Sequence, residues 1–163
     1  MKTTSIAILL SAMLLPTAAF AEDAAATVGD AEKGKAVFNQ CGACHAVGEN
    51  AKNKVGPVLN DVVGRHAAAV PDYKYSEAMT KAGQDGWIWT PETLTPFLHD
   101  PRATIPGTKM TFAGLKKDED VANVIAYLMT FSPNFDPAAA GAAAPADGAA
   151  PAAGAAPAAP AKQ

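Results

Sequence analysis

Along this chain the apolar positions recur at helical spacing, and no run alternates residue by residue as a half-buried strand would. Asp30 reads as the N-cap of a helix from Ala31 to about Gln40, with Val37 and Phe38 on its apolar face. Leu59, Val62 and Val63 make a short apolar stretch ending at Gly64-Arg65, after a polar loop over 48–56 that leads to Pro57. Tyr75 to about Ala82 predicts a second short helix. A third begins either at Thr90-Pro91-Glu92, with Leu94, Phe97 and Leu98 at helical spacing, or at Thr95 with Pro96 in its first turn. Pro96 forces that choice, because an interior proline removes a backbone hydrogen bond. Asp118, Glu119 and Asp120 place negative charge where a helix dipole favours it. Val121, Val124, Ile125 and Leu128 form that last helix's buried stripe, and Pro133 stops it. The domain is expected to be all-α.

Both ends depart from this pattern. Lys2 precedes an apolar run from Ile6 to Leu15, Pro16 breaks it, and Ala19-Phe20-Ala21 offers a small-x-small cleavage site. The run is far shorter than the roughly 20 residues that span a bilayer. Residues 1–21 are therefore expected to be a signal peptide cleaved after Ala21, delivering the protein to a periplasm. From Pro137 to Gln163 the chain is nearly all Ala, Pro and Gly, with Asp147 and Lys162 as its charges. Its prolines interrupt any helix and it has no large apolar side chain to bury. A disordered tail over 137–163 is expected, leaving one domain over 22–136.

Charge then narrows the partners. The formal net charge is −3, which argues against nucleic acid. The chain has two cysteines, both in Cys41-Gly42-Ala43-Cys44-His45. Cys-x-x-Cys-His is the attachment pattern of haem c. Two thiols one helical turn apart reach the two vinyl groups on one porphyrin edge, and the next residue directs an imidazole at the iron. A thioredoxin-like pair expects a βαβ setting, which is absent. A structural disulfide leaves His45 unexplained. A zinc site would need His66 and His99, and neither stands at zinc spacing.

The second axial ligand must come from elsewhere. Met129 sits on a helix as core or surface, Met79 lies in a short helical stretch, and His99 falls among polar residues and is expected to be solvated. Met110 lies in Ile105-Pro106-Gly107-Thr108-Lys109-Met110, a loop that proline stiffens and glycine frees. Methionine is ordinarily a core gap-filler, but an iron in need of a ligand favours Met110.

The chain resembles the class I cytochromes c, bacterial cytochromes c2 and mitochondrial cytochrome c among them. The resemblance runs from Gly29 to about Phe131. It rests on Gly-Asp-x-Glu-Lys-Gly at 29–34, Cys-x-x-Cys-His at 41–45, Gly-Pro at 56–57, Gly64-Arg65 and Trp89. Pro-Gly-Thr-Lys-Met-x-Phe-Ala-Gly at 106–114 and Ile-Ala-Tyr-Leu at 125–128 complete it. The resemblance implies a class I cytochrome c fold, a few helices wrapped around one haem c bound through Cys41 and Cys44. It implies His45 and Met110 as axial ligands, with a backbone carbonyl around Pro57 fixing the imidazole. Arg65, Tyr75 and Trp89 would surround a buried propionate, and Phe112 would cover the exposed haem edge. Gly34 and Phe38 would meet Val124 and Tyr127 where the first and last helices cross.

Two positions and one length depart from the family. Phe97 stands where a tyrosine often donates to the ligand sulfur, and Met79 replaces a polar residue. Losing the donor should lower the reduction potential and apolar burial should raise it. The segment before Cys41 is also one residue shorter.

Met/His ligation raises haem potential and leaves the iron no open position, so a one-electron carrier is expected rather than an enzyme. A bc1-type complex would supply electrons, and an oxidase, reaction centre or dehydrogenase would accept them. Lys52, Lys54, Arg102, Lys109, Lys116 and Lys117 match positions that ring the haem edge and would steer brief docking of a monomer. A peroxidase would require an open iron, a gas sensor of the cytochrome c′ type carries its motif near the C-terminus, and a dedicated docking subunit would use the tail.

Overall fold

The computed structural model describes residues 29–136. The signal peptide expected over 1–21 and the tail expected over 137–163 lie outside them. Within the described residues five helices follow in order: α1 Ala31–Gly42, α2 Glu77–Gln84, α3 Pro91–His99, α4 Pro101–Thr104 and α5 Asp118–Met129. Among the described residues there is no strand, only an isolated antiparallel bridge between His66 and Ile88. None of these helices is long and apolar enough to cross a membrane.

Local chemistry sets most helix ends. The Asp30 carboxylate accepts from the Glu32 and Lys33 amides at 2.9 and 3.2 Å, satisfying donors that a helix start leaves orphaned. α1 runs past the expected end at Gln40 and carries Cys41 and Gly42 in its last turn. α3 begins at Pro91, because Thr90 and Thr93 form a reciprocal capping box that overrides the objection of Pro96. Pro96 lies inside the helix on an exposed face. The Thr95 hydroxyl donates to the Pro91 carbonyl at 2.7 Å, and the Asp100 amide reaches Pro96 O at 3.0 Å. Asp100 then caps α4, a single turn that periodicity could not reveal.

α5 ends at Met129, four positions before Pro133. The stop is made instead by Thr130, whose hydroxyl donates to Tyr127 O at 2.7 Å, and by Ser132, whose hydroxyl donates to Leu128 O at 3.2 Å. α1 crosses α5 closely. Gly34 lies against the Asn123 backbone and Tyr127, so a methyl there would meet the Asn123 carbonyl. Phe38 and Tyr127 stack with ring centroids 5.3 Å apart, and the Asp30 amide donates to the Asn123 side chain at 2.7 Å. Val121 and Val124 beneath them are among the most deeply buried side chains.

The irregular connections frame the rest of the core. Gly64 N donates to Trp89 O at 2.7 Å, Trp89 N to Arg65 O at 2.9 Å, and Ala67 N to Trp87 O at 2.8 Å. This ladder holds Arg65 beside Trp89, and Trp89 in turn packs on Phe97 with ring centroids 4.8 Å apart.

Candidate haem site

The last turn of α1 delivers the motif. Cys44 N and His45 N both donate to Cys41 O, at 3.0 and 2.9 Å, so the chain turns directly from helix to histidine. His45 Nδ1–H donates to the Pro57 carbonyl at 2.7 Å. The 48–57 loop is held for that contact by Gly56 N donating to Cys44 O at 2.8 Å and Leu59 N to Ala46 O at 3.0 Å. Asn60 adds a reciprocal pair with the Gly48 backbone, 2.8 Å each way. Gly56 is packed against the imidazole so closely that any side chain there would strike the ring. Burial holds the His45 pKa below the ordinary imidazole value, against the opposing pull of the Pro57 carbonyl. The ring is therefore neutral near pH 7, its Nδ1 proton is committed, and Nε2 keeps its lone pair.

Behind the motif lies a cavity of about 620 Å³, within the range of ligand sites. Cys41, Cys44, His45, Pro57, Arg65, Tyr75, Trp89, Met110 and Phe112 all line it. Cys41 comes from the last turn of α1 and Cys44 and His45 from the residues just after it, while Met110 and Phe112 come from the segment between α4 and α5. Leu94, Phe97 and Leu98 of α3 and Val124 and Leu128 of α5 contribute apolar wall. Burial, with a smaller contribution from the Cys44 thiol, pushes the Cys41 thiol up to about 11.

One part of this apolar cavity is built for negative charge. Arg65 Nη1 and Nη2 donate to Asn60 O and Val58 O at 2.6 and 3.2 Å, while its Nε is buried with no partner among the described residues. Burial lowers the guanidinium pKa, partly offset by Tyr75 and Asp61. The Tyr75 hydroxyl accepts from Val70 N at 3.3 Å, which leaves its own proton to give. A buried orphan donor is costly, and a carboxylate in the cavity would satisfy it. Two thiols at the rim, a neutral imidazole, an apolar wall and an unsatisfied guanidinium together fit a haem with one propionate turned inward. No cluster of three or more His, Cys, Asp or Glu able to hold a bare metal ion occurs among the described residues.

The six expected docking cations are all exposed, but they are not all free. Lys109 lies on the cavity rim, where its Nζ donates to Lys74 O at 3.3 Å and Tyr75 O at 3.0 Å. Lys54 donates to Gly42 O at 2.9 Å and Lys116 to Ala113 O at 2.8 Å. Lys117 is the N-cap residue of α5, Arg102 stands on α4, and Lys52 borders a separate surface groove.

Sequence reasoning passed over other residues of the rim. Lys74 and Tyr73 line the cavity, as does His66, weighed in the sequence only as a zinc ligand, and so does Val55, at 78% the one exposed large apolar side chain among the described residues. The paired aromatics of Tyr73-Lys74-Tyr75 were the available signal; their rings meet edge to face at 4.7 Å, and the Tyr73 hydroxyl donates to Val55 O at 2.6 Å. His99 requires a correction. Its side chain is only 30% exposed, with Nδ1 2.9 Å from Leu115 O and Nε2 3.0 Å from an Asp118 carboxylate oxygen.

Comparison with known proteins agrees with this geometry. The cytochrome c family model matches residues 31–132. Cytochrome c2 of Agrobacterium tumefaciens (strain II Chrys) is 56% identical over 110 residues, 68% of this chain and 98% of that protein. Cytochrome c-550 of Nitrobacter winogradskyi is 52% identical over 103 residues, 63% of this chain and 92% of its own. The solved structure of cytochrome c2 from Rhodospirillum centenum superposes with a TM-score of 0.62 at 41% identity, covering 64% of this chain and 100% of that one.

Proposed function

This chain belongs to the cytochrome c family and carries electrons on a covalently attached haem c; from that premise we propose a periplasmic carrier with His45 and Met110 as axial ligands. The observation that carries the proposal is the division of the cavity wall, with Cys41, Cys44 and His45 on one segment and Met110 on another. Once bound, the haem supplies a reversible one-electron change at its iron.

The protein's own residues set the terms of that change. Cys41 and Cys44 hold the group through thioether links. The Pro57 carbonyl fixes the His45 tautomer and ring plane, as outer partners of metal-bound histidines do. Met110 supplies a soft thioether, which raises potential relative to more basic ligand pairs. Arg65 and Tyr75 compensate a buried propionate, with Trp89 beside them. The apolar walls from α3 and α5 exclude water, and Phe112 shields the rim.

Residues 1–21 direct export and are removed after Ala21. The monomer meets its partners transiently: a bc1-type complex as donor, and an oxidase, reaction centre or dehydrogenase as acceptor. Lys52, Lys54, Arg102, Lys109, Lys116 and Lys117 steer those encounters on an otherwise acidic chain. With His45 and Met110 both holding the iron, the chain would leave no place for a substrate there. Carbon monoxide tests this directly. The reduced wild-type holoprotein should reject it and Met110→Ala should bind it; ready binding by wild type would refute the assignment.

A further inference from the structure

We propose that His99 is a positioning residue for Met110, clasping the segment that carries the methionine against the end of α3. This rests on Met110 being an axial ligand. The clasp is reciprocal: Leu115 N donates to Leu98 O at 2.9 Å, and His99 Nδ1–H donates to Leu115 O at 2.9 Å. A carbonyl only accepts, so the Nδ1 proton is required. Nε2 faces an Asp118 carboxylate oxygen at 3.0 Å and donates to it when the imidazole carries its second proton. Between these bonds Gly114, at φ +84°, lies so close to the His99 carbonyl that a Cβ would collide with it.

The consequence follows from where the segment is fastened. After α4, Thr108 N donates to Ile105 O at 3.0 Å, which holds the end before Met110. From Met110 to α5 the backbone has no helix or strand to stiffen it. The Leu98–His99 clasp fastens this side through Leu115, and α3 itself forms part of the cavity wall. A polar side chain 16 positions from its partner thus limits how far the Met110 segment can swing outward. Asp118 is 99% exposed, so its share is small and the Leu115 bond carries the effect.

The test uses ferric holoprotein titrated with free imidazole, which competes with Met110 and is read by loss of the far-red thioether-to-iron absorption band. His99→Ala should bind imidazole about three- to tenfold more tightly, as expected for one lost hydrogen bond. His99→Asn places an amide N–H where Nδ1 stood and should restore near wild-type affinity, and Asp118→Asn should change little. Wild-type affinity in His99→Ala, or no rescue by His99→Asn, would overturn the proposal. A wild-type protein without the thioether band would instead overturn the Met110 assignment on which it rests.

Discussion

Replacing Gly56 with alanine isolates the support behind His45. Gly56 is not among the positive-φ glycines, so its backbone accepts alanine without strain. The new Cβ would strike Cε1 of His45 first and would stand 2.7 Å from both ring nitrogens, where ordinary contact begins at 3.4 Å. Clearing the nitrogens alone takes about 0.7 Å and clearing Cε1 takes more, so the ring must retreat by at least that much unless the loop gives way. Gly56 is itself pinned through Cys44 O, so the loop has little freedom. A ring displacement of that size in any direction but toward Pro57 carries the 2.7 Å Nδ1 bond toward the limit of hydrogen bonding. Overpacking costs about 1–3 kcal/mol and the weakened bond about 1 kcal/mol, or about 2–4 kcal/mol together. For a domain near this size the melting temperature should fall by about 10–20 °C. Thermal unfolding of the holoprotein followed by circular dichroism measures it, and the reduction potential should shift in the same variant as the imidazole reorients. A Gly56→Ala protein with wild-type melting and potential would refute the view that this contact fixes the ligand.

Other outcomes follow from the same contacts. Gly34→Ala gains about 1 kcal/mol of helix propensity but drives a methyl into the Asn123 carbonyl. Because the clash is with backbone, overpacking sits near the top of its range at about 3 kcal/mol, so a net loss of about 2 kcal/mol in denaturant unfolding is expected, and wild-type stability would show that α1 and α5 can separate freely. Arg65→Gln removes a buried cation bonded to Asn60 O and Val58 O; the potential should fall, because the positive charge disfavours oxidation, and an unchanged potential would mean the guanidinium charge does not act on the iron. Lys109→Glu with Lys117→Glu should slow electron exchange with a redox partner at low salt and much less at high salt. Rates unchanged at both would place docking elsewhere.

What was legible in the sequence was local or chemically singular. Asp30 and the acidic start of α5 announce their helices because a cap or dipole partner lies within one turn. Cys41, Cys44 and His45 announce a haem because their spacing answers the shape of a porphyrin edge. Pro96 left two starts for α3, since proline's cost is visible in the sequence while the Thr90–Thr93 capping box shows only when both side chains are placed. His99 was misjudged for a related reason: polar neighbours suggest solvent, yet its partner Leu115 comes from a different segment. Arg65 reaches the cavity through the ladder pairing Gly64 to Ala67 with Trp87 and Trp89, which no periodicity reveals.

An iron held between His45 and Met110 should exchange one electron reversibly. A potentiometric titration of the mature holoprotein, followed by absorbance, tests it most directly. Ligation by His45 and Met110 predicts a single reversible one-electron transition at clearly positive potential, with a six-coordinate spectrum throughout. A low potential, or a five-coordinate spectrum in either oxidation state, would contradict it.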